Sequence, residues 1–155
     1  MSISARLAEL GIELPDVAAS VASYIPAKAH GGIVWTSGQL PFVSGALPAT
    51  GKVGDGHGLV PDADAHDLAR TSALNAIAAA AAAVGGVDRL TGVFKVTGFV
   101  ASDPSFTGQP GVINGASTLL GEVFGDAGAH SRSAVGVSVL PLDSPVEVEV
   151  AFTFD

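Results

Sequence analysis

The chain has 155 residues, enough for one domain with a real core, and no cysteine, which excludes disulfides, thiolate metal sites and a cysteine nucleophile. Hydrophobic residues make up 48% and charged residues only 14%, so the surface is short of charge and some apolar area is expected to be covered by another copy of the chain. Net charge is −8, and the 7 Lys and Arg residues stand singly, without the cluster that phosphate-backbone binding needs, so nucleic acid is not an expected partner.

In chain order, Ser4 to Leu10 reads as a short helix stopped by Gly11 and Pro15. Two β-like runs follow, Ser23–Ala29 and Ile33–Ser37, joined by His30-Gly31-Gly32 as in a hairpin. Pro41 to Gly58 is turn-rich and reads as loop, with at most a short strand near Lys52-Val53. A long helix spans Asp62 to Val84, with Asp62 and Asp64 suited to its N-terminal cap and Gly85-Gly86 to its end. Its stripe of Leu68, Ala69, Ser72, Ala73, Ala76, Ala79, Ala80 and Ala83 is narrow and small, which suits packing close to a sheet. The longest apolar run, Ala76 to Val87, is too short to span a bilayer. The N-terminus lacks an apolar stretch of signal-peptide length, and the expectation is a cytoplasmic protein.

Leu90–Ala101 reads as a strand, Pro110–Phe124 as a second helix, and Ser133–Leu140 and Val146–Phe154 as two final strands. The whole is expected to be a single α+β domain over residues 1–155, with helices on one face of a largely antiparallel sheet and an N-terminal extension over 1–20.

Several chemical signals are weak. The four histidines (His30, His57, His66 and His130) show no paired metal-ligand spacing and read as lone surface residues. The glycine-rich Gly51–Gly58 lacks the order of a phosphate loop, and Ser37 does not sit in a GxSxG elbow. Arg132 is different. It is the only basic residue after Lys95, and its guanidinium is a rigid bidentate donor for a carboxylate. On chemistry alone it either holds a ligand or forms a structural ion pair with Glu147 or Glu149. Those two glutamates alternate with valines and share one side of the last strand. If that side faces a cleft, one of them can act as a general base.

Taken in order, Tyr24 with the hairpin after it, TSGQLP from Thr36 to Pro41, RSAV from Arg132 to Val135, Leu140-Pro141 and VEVEV from Val146 to Val150 resemble the RidA family, also called YjgF or endoribonuclease L-PSP. The LAELGIELP of Leu7–Pro15 and the FGDAGAHSRSAVGVSVLP of Phe124–Pro141 look closest to a less characterised branch of that family. Ala134 stands where the well-known deaminases often carry cysteine. The resemblance implies a chorismate-mutase-like fold and a homotrimer with ligand clefts between subunits. It implies that Arg132 holds a substrate carboxylate, that Glu147 places a hydrolytic water, and that Tyr24, Ser37, Gly38, Asn114 and Ala134 line the cleft. The activity implied is deamination of small 2-imino or enamine acids to 2-oxo acids and ammonia, with no cofactor. The alternatives are a non-catalytic binding protein for small carboxylated metabolites and an endoribonuclease.

Overall fold

Two glycines set the first turn of the sheet. In the computed structural model, which describes residues 2–17 and 23–155, strands β1 (Ala27–His30) and β2 (Ile33–Thr36) meet through Gly31 and Gly32, both at positive φ (57° and 80°). A two-residue loop with both central residues left-handed has the twist that an antiparallel hairpin needs, and a side chain at either place would be strained. His30 pairs with Ile33 across it. Met1 and residues 18–20 of the expected extension lie outside the described residues.

The remaining elements are α1 (Ile3–Glu9), α2 (Asp62–Val84), β3 (Leu90–Ala101), α3 (Gln109–Phe124), β4 (Ser131–Val137) and β5 (Val146–Phe154). The five-stranded sheet runs in the order β1-β2-β5-β3-β4. All pairs are antiparallel except β3 with β4, which are parallel. Parallel neighbours need a crossover, and α3 supplies it. The expected α+β architecture is therefore present, with the two main helices on one face of a mostly antiparallel mixed sheet.

Alternation decides which face is which. On β5, Val146, Val148, Val150 and Phe152 are fully buried under the helices, while Glu147 and Glu149 point to the opposite face. On β3, Val96 and Val100 share the helix side. Burying valine and phenylalanine side chains of this kind is worth roughly 1.5–3 kcal/mol each, so this layer is the main source of stability.

The structure corrects the sequence reading in several places. The α2 cap is Pro61 without a side-chain hydrogen bond, and Asp62 and Asp64 lie inside the first turn. The buried face of α2 is broad rather than narrow: Ala65, Ile77, Ala78 and Ala81 join it and Ala83 is exposed. The breadth has a cause, because α2 packs on both the sheet and α3. Gly115 of α3 lies so close to the His66 carbonyl of α2 that a Cβ there would collide with it. The strand expected over Ser133–Leu140 is shifted to Ser131–Val137, so Arg132 sits within the strand. Near Lys52-Val53 there are only isolated bridges, from Val53 to Val60 and Ser102.

The N-terminal segment is built into the fold. Ser2 caps α1, Ser4 hydrogen-bonds Asp88, Arg6 donates to the Glu122 carbonyl at 2.8 Å, and Leu7 is part of the main apolar core. Among the described residues, no helix is long and apolar enough to cross a membrane.

Candidate functional site

Arg132 is the second residue of β4, the edge strand, and pairs with Val96 on the helix side of the sheet. Its position depends on α3. At Gly98 the sheet has a notch that the Ile113 side chain fills, since a Cβ on residue 98 would overlap that isoleucine. Seated there, α3 turns Asn114 and Ser117 toward β4, one helical turn apart. Arg132 Nη1 donates to Asn114 Oδ1 at 2.8 Å and to Ser117 Oγ at 3.1 Å, and Nη2 donates to the Pro110 carbonyl at 3.3 Å.

These three acceptors are all neutral. The ion pair with Glu147 or Glu149, open as an alternative from the sequence, does not form. The reason is topological: β3 separates β4 from β5, and the two glutamates point to the other face. A guanidinium has five N–H donors. Nε–H and one Nη2–H therefore have no acceptor among the described residues, and they form an open donor edge suited to a carboxylate.

Behind Arg132 stands His130. Its Nδ1 lies 2.6 Å from the Gly128 carbonyl and its Nε2 lies 2.9 Å from Ser117 Oγ. His130 is thus half-buried and bonded at both ring nitrogens, which corrects its reading as a lone surface histidine.

A second group of residues collects around Glu147. Gly38 lies directly against the Glu147 carboxylate, and a Cβ at residue 38 would occupy the carboxylate's place. Ser37 Oγ donates to the Ile25 carbonyl at 2.7 Å and Ser37 N–H donates to the Pro26 carbonyl at 2.8 Å, which ties this loop to the segment that carries Tyr24. Tyr24 itself is exposed. Burial and, less strongly, the neighbouring charge of Glu149 push the Glu147 carboxyl above its ordinary pKa. No cation or hydrogen-bond donor among the described residues offsets this.

The expected site residues therefore fall into two sets. Arg132, Asn114 and Ala134 lie at the β4–α3 edge, with Ala134 paired to Gly98. Tyr24, Ser37, Gly38 and Glu147 lie on and beside the open face. By register, Arg132 aligns through Val96 with Val150, three residues along β5 from Glu147 and two strands away. That is about 10 Å along the strands and about 10 Å across them, with the side chains on opposite faces. One chain does not bring the two sets together. The open face nonetheless carries exposed apolar groups, including Trp35 and Val135, and the row Val135–Phe99–Glu147 crosses three strands.

Ser117 and His130 were missed by sequence reasoning. A serine in a helix and a histidine outside any strand carry no pattern of their own. The usable signals were spacings: Asn114 and Ser117 stand three apart on a helix, and His130 and Arg132 two apart on extended chain.

The family profile described as "YjgF/chorismate mutase-like, putative endoribonuclease" matches residues 4–153. Protein TCP17 of Trypanosoma cruzi is 41% identical over 150 residues, covering 95% of this chain and 91% of that protein. The crystal structure of Atu1372 from Agrobacterium tumefaciens, a protein of unknown function, superposes with a TM-score of 0.88 at 41% identity, covering 99% of this chain and 92% of that one. E. coli TdcF with bound serine superposes with a TM-score of 0.64 at 25% identity, covering 90% of this chain and 94% of that one. With a family profile spanning nearly its full length and relatives that share its sequence and fold, the chain belongs to the YjgF/chorismate mutase-like family.

Proposed function

We propose that the protein hydrolyses small 2-imino acids, or their enamine tautomers, to 2-oxo acids and ammonium, in clefts shared between subunits of a homotrimer. The observation that carries this reading is the pair of unmatched charges. Among the described residues, Arg132 is anchored by neutral groups with two donors left open, and Glu147 is half-buried with no cation beside it. Each lacks what a carboxylated substrate and a water would supply. Because the two lie on opposite faces of one sheet, a complete cleft takes Arg132 from one subunit and Glu147 from the next. The exposed Trp35 and Val135 on the open face support burial against another copy.

In this reading Arg132 binds the substrate carboxylate through Nε–H and Nη2–H, and Asn114 offers its amide N–H groups beside it. The Glu147 carboxylate takes a proton from a water as the water oxygen bonds to C2 of the iminium. The resulting amino alcohol takes that proton on nitrogen, the C–N bond breaks, the hydroxyl proton is released, and the products are the 2-oxo acid and ammonium. A raised carboxyl pKa suits this role, since it strengthens the base. Such imines also decay unaided, so positioning suffices: each tenfold in rate asks about 1.4 kcal/mol. No step requires a cofactor.

A second reading is a binding protein for small carboxylated metabolites. The open donor edge of Arg132 favours anion binding whether or not turnover follows, and the TdcF relative holds serine. The endoribonuclease description of the family finds no support in a chain of net charge −8 with scattered basic residues. The deciding assay is ammonia release from 2-iminobutanoate generated in situ. Acceleration above the uncatalysed rate supports the enzyme, and binding of 2-oxobutanoate without acceleration supports the binding protein. The absence of both acceleration and binding would remove both readings.

A further inference from the structure

The Ser117–His130 pair behind Arg132 has a direction that its end groups fix. A backbone carbonyl can only accept, so the proton shared with the Gly128 carbonyl belongs to His130 Nδ1. In the neutral ring Nε2 is then a bare acceptor, and the Ser117 hydroxyl donates to it. At the other end a guanidinium can only donate, so Ser117 Oγ accepts from Arg132 Nη1. The bonds run one way, from Arg132 to Ser117 to His130 to the Gly128 carbonyl. With the ring neutral, each bond in the chain has this sense.

We propose that Ser117 and His130 are positioning residues that hold the Arg132 guanidinium with its open edge presented to an incoming carboxylate. This rests on the reading of Arg132 as the carboxylate-binding residue. Asn114 and the Pro110 carbonyl, the latter at a long 3.3 Å, take one hydrogen from each terminal nitrogen. Ser117, one helical turn on, adds a second acceptor for the same Nη1 and stiffens the hold on the plane. His130 is needed because a serine in a helix otherwise turns its hydroxyl back to the carbonyl four residues earlier, here that of Ile113. The histidine gives the hydroxyl hydrogen a better acceptor and keeps the oxygen lone pair on Arg132. Its own seat is tight, since a Cβ at Gly128 would press into the Leu120 carbonyl of α3. Ordering the fork before the ligand arrives lowers the cost of binding it.

The test uses the full-length protein, with 2-oxobutanoate as the calorimetric probe and the imine assay for turnover. Ser117→Ala and His130→Phe should each weaken probe binding about five- to tenfold, and the double variant should be little worse than either alone. KM should rise with kcat nearly kept, because the carboxylate is held alike in ground and transition states. Ser117→Thr, which keeps the hydroxyl, should restore affinity. In the wild-type protein, nitrogen NMR of the imidazole should show the Nδ1–H tautomer. Unchanged affinity in both single variants, alongside a weakened Arg132→Lys, would overturn the positioning role and leave the carboxylate site standing. Finding the Nε2–H tautomer would overturn it too, even if the variants do not fold. Arg132→Lys with wild-type affinity would remove the carboxylate site itself.

Discussion

Replacing Arg132 by lysine keeps the charge and removes the fork, and the structure gives the size of the effect. Of the five guanidinium donors, one each goes to Asn114, Ser117 and the Pro110 carbonyl, and two have no acceptor among the described residues. An ammonium has three donors. If two of them satisfy Asn114 and Ser117, one remains for the ligand where the arginine offered two. The variant thus loses one charge-assisted hydrogen bond, worth about 1.5–3 kcal/mol, or roughly 10- to 100-fold in affinity. Calorimetry with 2-oxobutanoate measures this directly, and thermal melting should show a folded protein. Binding within about twofold of wild type would refute the bidentate geometry.

Two further outcomes concern Glu147. Since burial first and Glu149 second raise its pKa, the proton-accepting form is populated only at higher pH than for an ordinary glutamate. The acid limb of kcat/KM should therefore lie above the ordinary glutamate range, activity rising as pH increases through it; a midpoint within or below that range would contradict the buried base. Glu147→Gln should abolish that limb and lower kcat by roughly 10²- to 10⁴-fold with carboxylate binding kept, and equal loss of binding would count against its role as base. Gly38→Ala puts a methyl group where the carboxylate lies, so it should reduce kcat while Arg132-dependent binding of 2-oxobutanoate persists. Wild-type kcat in that variant would show that the carboxylate position is not used.

Local chemistry was legible in the sequence, and long-range placement was not. The limits of α2 and the start of β5 follow from residues that stop them: Pro61 and Gly85 bracket α2, and Pro145 precedes β5. Gly31-Gly32 announced its turn by composition alone. The alternation of Val146–Val150 correctly put Glu147 and Glu149 on one side. Sheet order is a different kind of fact. Nothing local says that β3 lies between β4 and β5, and that single fact removes the ion pair between Arg132 and the glutamates. The shift of β4 has a similar origin. Its pairing with β3 runs from Lys95–Ser131 to Ala101–Val137, so the partner strand, not the composition of Val139-Leu140, sets its limits. Gly98 and Gly115 read as ordinary strand and helix glycines. Only the packed structure shows that one admits Ile113 and the other admits α2.

The central claim is that the cleft takes Arg132 from one subunit and Glu147 from its neighbour. It is tested most directly by mixing the two impaired variants. Arg132→Lys and Glu147→Gln chains, co-expressed and isolated as mixed trimers, should place an intact Arg132 opposite an intact Glu147 in about a third of the clefts, because any trimeric ring that holds both chains has a single such cleft. The account predicts that imine hydrolysis at substrate concentrations well below KM recovers to about a third of the wild-type rate, from the low level of either variant alone. No recovery in verified mixed oligomers, or a protein that light scattering shows to be an active monomer, would contradict it.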